Sequence, residues 1–93
     1  MASEAKHIIV HGRVQGVGFR YFVQDVALQL GLTGSVRNCP DSTVEIVVEG
    51  TEKRIAQFVR EVEQGPPLAR VERLEIHKIA ARGNFRSFHI EGW

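Results

Sequence analysis

The residues VHGRVQGVGFRYF, positions 10–22, change hydrophobic period midway, and that change fixes what the amino-terminal part of the chain can build. Before it, HIIVHGRV alternates: Ile8, Val10, Gly12 and Val14 fall on one side of an extended chain, and His7, Ile9, His11 and Arg13 on the other. After it, Phe19, Phe22, Val23, Val26, Ala27 and Leu30 recur at helical spacing as far as Gly31, a suitable stop. A half-buried strand therefore passes through Gly16 and Gly18 into an amphipathic helix.

The rest of the chain extends the pattern. TGSVRN reads as a weak strand, NCPDST as a turn, and VEIVVEG as an alternating strand with Val44, Ile46 and Val48 on one side, so the two strands form a hairpin. Thr51 is a suitable N-cap for a second helix that carries Ile55, Phe58, Val59 and Val62 on one face and ends at Gly65, Pro66 and Pro67. Residues 71–80 form a further strand, and a loop, ARGNFRS, leads to a short extended piece around Phe88 and Ile90. The order βαββαβ predicts an α+β fold: a ferredoxin-like split βαβ sandwich, with an antiparallel sheet, two helices on one face and a short C-terminal strand. We expect residues 1–93 to form one domain, with about 1–6 as a flexible N-terminal segment.

Charge narrows the partners. Twelve Lys and Arg against eleven Asp and Glu leave a net charge of +1, far from the basic stripe that nucleic acid requires. A single cysteine, Cys39, forms no intramolecular disulfide and favours a reducing compartment. The start, MASEAKH, is polar, and no apolar run approaches the ~20 residues of a membrane helix, so a cytoplasmic protein without a membrane partner is expected.

Gly16 and Gly18 let the backbone turn sharply and aim several N–H groups into one concavity, and a helix beginning near Phe19 adds its own free N–H groups. That arrangement suits a phosphoryl group. Arg20 in a first helical turn faces the positive end of the macrodipole, at a cost of a few tenths of a kcal/mol up to about 1 kcal/mol. An anion gripped by its guanidinium fork relieves that repulsion. The same spacing also fits a bare tight turn beside a solvated arginine. The chain has no G-x-x-x-x-G-K-[ST], and GVGFRY lacks the third glycine of a dinucleotide fingerprint.

GRVQGVGFRYF at 12–22 and GSVRNCPDSTVEIVVEG at 34–50, in this element order, resemble the acylphosphatases, and the resemblance spans essentially the whole chain. It implies metal-free hydrolysis of carboxyl-phosphate anhydrides by a small ferredoxin-like domain without a cofactor. Matched by position, it places the phosphate-binding loop on Gln15, Gly16, Val17, Gly18 and Phe19, the catalytic arginine on Arg20 and the water-positioning asparagine on Asn38. It further implies a small-molecule acyl phosphate as substrate and inorganic phosphate as product and competitive inhibitor; we expect a monomer. One departure is visible: the family commonly has Asp-Gly in the hairpin turn, where this chain has Asp41 and Ser42.

The chemistry agrees with the residues present. A carboxylate leaving group, whose conjugate acid has a pKa near ~4, departs without protonation, so no general acid is required. An alkyl phosphate would expel a far more basic alkoxide and call for an acid or a metal. Asn38 both accepts and donates hydrogen bonds, enough to orient water; as a residue beside Pro40 and Asp41 it equally fits a plain turn.

Other polar residues read as structural. On a strand, the four-residue step from His7 to His11 spans ~13 Å, too far for one metal, so both are expected on the exposed sheet surface, with His77 and His89 in or near strands. Cys39 has no activating neighbour in the sequence, and Arg82, Asn84 and Arg86 read as a solvated loop. The competing function is a non-catalytic ferredoxin-like binding or regulatory module. Against RNA binding, the strands expose charges, histidine and aliphatics rather than a stacking platform. The chain length favours a stand-alone domain over a segment working within a larger protein.

Overall fold

The computed structural model describes residues 3–92. Its elements are β1 (Glu4–Arg13), α1 (Phe19–Gln29), β2 (Thr33–Asn38), β3 (Val44–Gly50), α2 (Glu52–Gln64), β4 (Arg70–Ile79) and β5 (Phe88–Ile90). The strands form one sheet in the order β4-β1-β3-β2-β5. β3 is antiparallel to both β1 and β2, and β4 is antiparallel to β1, as the split βαβ plan requires.

Two details of strand placement differ from the sequence expectation. β5 lies parallel to β2, so the sheet is mixed rather than wholly antiparallel. The cause is topological: β4 and β5 occupy opposite edges, and the chain between them must cross the sheet before joining the free edge of β2. The second concerns the amino-terminal segment. Residues 1 and 2 lie outside the described residues, but Glu4, Ala5 and Lys6, expected as part of a flexible lead-in, pair with Gly50, Glu49 and Val48. Ala5 is fully buried, so β1 starts three residues earlier than its alternation suggests.

An aliphatic row runs across all five strands: Ile76, Ile8, Ile46, Val36 and Ile90 are in register. Against its central members pack Phe19, Val23, Val26 and Ala27 of α1 and Ile55, Phe58 and Val62 of α2, in one cluster that also takes in Phe88. Burying each large side chain contributes about 1.5–3 kcal/mol, which gives both helices a reason to share one face. The Phe58 and Phe88 rings lie 6.1 Å apart, tilted by 54°, and join α2 to the last strand. Thr51 caps α2 as predicted, its hydroxyl accepting from the Arg54 N–H at 3.3 Å.

The opposite face is polar and partly covered. Glu49 is 7% exposed, and its carboxylate accepts the main-chain N–H groups of Arg82 and Gly83 at 3.2 and 3.0 Å. The loop read as merely solvated is thus fastened across this face. His7 and His11 are half-buried rather than freely exposed. His7 is bonded to Glu45 at 2.8 Å, and Glu45 also accepts from Arg37; His11 is bonded to Glu75.

Replacing Glu49 by Ala leaves two N–H groups without their acceptor and should lower unfolding free energy by about 1–3 kcal/mol, read by urea denaturation, with faster amide exchange in the 82–83 segment. The Glu45 carboxyl is held below its ordinary 4.5, first by the Arg37 hydrogen bond and then by that from His7. Its contribution to stability is therefore complete above pH 4.5 and lost as pH falls through the lower folded value. Glu45→Gln should flatten the acid limb of a stability-against-pH curve; an unchanged limb would exclude this origin.

Candidate active site

Because β3 runs antiparallel between β1 and β2, those two strands are parallel to each other and their carboxyl ends emerge at the same end of the sheet. From one end departs the glycine loop. Beside it, at the carboxyl end of β2, stands Asn38, last in the register row Leu74, Val10, Val44, Asn38, whose alternation puts it on the side of the helices. The fold thus brings together segments more than fifteen residues apart.

The loop has the geometry its glycines allow. Gly16 and Gly18 adopt φ of 74° and 75°, a left-handed conformation that other residues enter at a cost of about 1–2 kcal/mol. A Cβ built on either meets nothing within 4 Å, so the space in front of this backbone is open. Gly18 is the N-cap of α1 and supplies no side-chain cap, and no acidic residue stands in the first turn. The first N–H groups of a helix lack internal partners, so among the described residues the positive end of α1 has no side-chain oxygen capping it at the point where the loop opens. Arg20 stands in that turn, half-buried, and forms no ion pair among the described residues.

The expected loop residues differ in what they can present. The Phe19 ring is 1% exposed and belongs to the core, and Val17 packs against the same cluster, so only their main chains are available. The Gln15 side chain is committed elsewhere: its amide nitrogen donates to the carbonyls of Cys39 at 2.8 Å and Thr43 at 2.9 Å. Sequence reading missed this use, since a lone polar residue between Val14 and Val17 carries no period. Cys39 enters through its carbonyl.

Within the β2–β3 turn, Asp41 Oδ1 accepts from the Thr43 hydroxyl at 2.6 Å and from the Thr43 N–H at 3.1 Å, and these bonds, the hydroxyl's first, hold the Asp41 carboxyl below its ordinary value. Ser42 takes φ of 75°, so the left-handed turn persists without glycine. Asn38 Oδ1 is buried and has no hydrogen-bond partner among the described residues. A cavity of about 260 Å³ adjoins it, lined by Arg37, Asn38, Glu91 and Gly92. An unpartnered buried carbonyl is costly unless water or a ligand meets it. A larger groove of about 960 Å³ lies between Leu28–Gly31 and Thr51–Gln57, at the far end of α1 from the loop, and shares no residue with this site. Among the described residues no three His, Cys, Asp or Glu side chains group to hold a metal ion, and no helix is long and apolar enough to cross a membrane.

Comparison with known proteins is consistent across sequence and fold. The family model described as Acylphosphatase matches residues 6–90. The chain is 43% identical to the acylphosphatase of Koribacter versatilis over 90 residues, covering 97% of this chain and 82% of that one. It is 48% identical to the acylphosphatase of Geobacillus kaustophilus over 84 residues, covering 90% and 89%. The crystal structure of acylphosphatase from Bacillus subtilis superposes with a TM-score of 0.92 at 40% identity, covering 96% of this chain and 99% of that one.

The left-handed Ser42 sets a stability test. Ser42→Gly removes the Cβ strain, partly offset by glycine's greater unfolded freedom, and should raise unfolding free energy by about 0.5–1 kcal/mol in chemical denaturation. A loss of stability would show that the serine side chain contributes more than its strain costs.

Proposed function

The chain belongs to the acylphosphatase family and hydrolyses acyl phosphates, and we propose that the phosphoryl group is held by the main-chain N–H groups of residues 15–20 together with the Arg20 guanidinium. The observation that carries this reading is the amino end of α1, without a side-chain cap, preceded by two left-handed glycines and joined by an arginine that forms no ion pair among the described residues. The free helix N–H groups and the arginine beside them are unfavourable together without an anion and favourable with one, while the glycines let the backbone present those groups at no steric cost.

In this reading water attacks phosphorus in line with the departing acyl oxygen, through a loose transition state whose charge spreads over the equatorial oxygens. The loop amides and Arg20 stabilise that charge without rearrangement. Asn38 Oδ1 accepts a hydrogen bond from the attacking water and orients it; a phosphoryl oxygen takes the proton. The carboxylate leaves unprotonated, as its low basicity permits, so neither a general acid nor a metal ion is assigned. In-line geometry places the acyl group on the far side of the phosphoryl group from Asn38, where the site makes few demands on it. The product, inorganic phosphate, fits the same cradle and competes with substrate. All the groups come from one copy, acting as a single domain of residues 1–93 and as a monomer, and the single Cys39 suits a reducing cytoplasm.

Steady-state kinetics with an aryl acyl phosphate tests the assignment. Arg20→Ala should lower kcat/KM about 100-fold or more, Arg20→Lys should damage kcat and KM together, and Asn38→Ala should lower kcat with little change in KM. Full activity in Asn38→Ala would remove it from the mechanism. Comparable turnover of a simple alkyl phosphate would contradict anhydride specificity.

A further inference from the structure

We propose that the Gln15 side chain is a positioning residue that locks the phosphate cradle to the strand end carrying Asn38, so that attacking water and bound phosphoryl group meet in line. The inference rests on the assignment of Asn38 above. Gln15 opens the loop that ends at Arg20, and both carbonyls it reaches, those of Cys39 and Thr43, flank the mouth of the β2–β3 turn. Cys39 follows Asn38 directly, and Thr43 precedes Val44, the register partner of Asn38. One amide therefore spans the gap between the two halves of the site. A primary amide has two N–H donors, and two carbonyls take them, which leaves the Gln15 side chain no donor for phosphate.

The turn does not need Gln15 in order to close. The Cys39 N–H still donates to the Thr43 carbonyl at 2.9 Å, the Ser42 N–H still donates to the Cys39 carbonyl at 3.1 Å, and Asp41 braces Thr43 from within. Nor does the cradle need it to form, since Gly16, Gly18 and the start of α1 set the directions of their own N–H groups. The sheet brings the two to the same end, and what Gln15 adds is a direct side-chain link between the loop and the mouth of the turn. Misplacement of reacting groups by an ångström costs up to about a hundredfold in rate, with no contact to substrate lost.

The test is a double-mutant cycle on kcat combined with inhibition by inorganic phosphate. Gln15→Met keeps the length and removes both donors; Gln15→Asn keeps the amide one methylene too short for both carbonyls and serves if the methionine variant does not fold. Each should lower kcat roughly ten- to a hundredfold while the phosphate inhibition constant stays within about threefold. In the Asn38→Ala background the same Gln15 substitution should lower kcat no further, because it acts through Asn38. Full kcat in both Gln15 variants, an equal loss with Asn38 absent, or phosphate inhibition weakened in step with kcat would each overturn the proposal. Full activity in Asn38→Ala alone would locate the failure in the Asn38 assignment instead, and would overturn this inference with it.

Discussion

One strand run antiparallel between two others decides where this protein can do chemistry. β3 separates β1 from β2 and forces them to point the same way, so the loop leaving β1 and the last side chain of β2 share one end of the sheet. The aliphatic register row holds that arrangement, and the Phe19 ring, buried at the start of α1, fixes the helix terminus over the same end. The loop proposed to hold the phosphoryl group is thus anchored to the core at both ends, through Val14 and Phe19.

Electrostatics complete what the backbone begins. A helix terminus without a side-chain cap, an arginine in its first turn with no ion pair and a buried amide oxygen with no hydrogen-bond partner, both among the described residues, are each unfavourable alone. Folding stability does not account for their placement at one end of the sheet; the proposed phosphoryl group with its attacking water does. The leaving carboxylate makes no call for acid catalysis, so the site can consist of amides, one cation and one side-chain amide. This matches the chemistry of the acylphosphatases among which the chain falls.

Local pattern made most of this legible in the sequence. The shift from period two to helical period located β1, the loop and α1, Thr51 located the start of α2, and Gly16 with Gly18 marked the left-handed turns of the loop between β1 and α1. Features that depend on distant partners were not legible. The parallel pairing of β5 follows from which edge remains free, the burial of Glu49 from a loop thirty-odd residues downstream, and the half-burial of His7 and His11 from glutamates on neighbouring strands. Arg20 stood out by its place in a first helical turn, though the spacing also fitted a solvated surface arginine, and the motif resemblance gave it its catalytic role; Asn38, which by itself also fitted a plain turn, was assigned through the resemblance. The Gln15 side chain had no local signature, since its partners are main-chain carbonyls 24 and 28 residues away.

The most direct test of the central claim is a titration with inorganic phosphate followed through backbone amide resonances. Saturable shifts concentrated on Gly16, Val17, Gly18, Phe19 and Arg20, and greatly weakened in Arg20→Ala, are predicted. Absence of saturation, or shifts centred on the groove between the carboxyl end of α1 and the start of α2, would contradict the account.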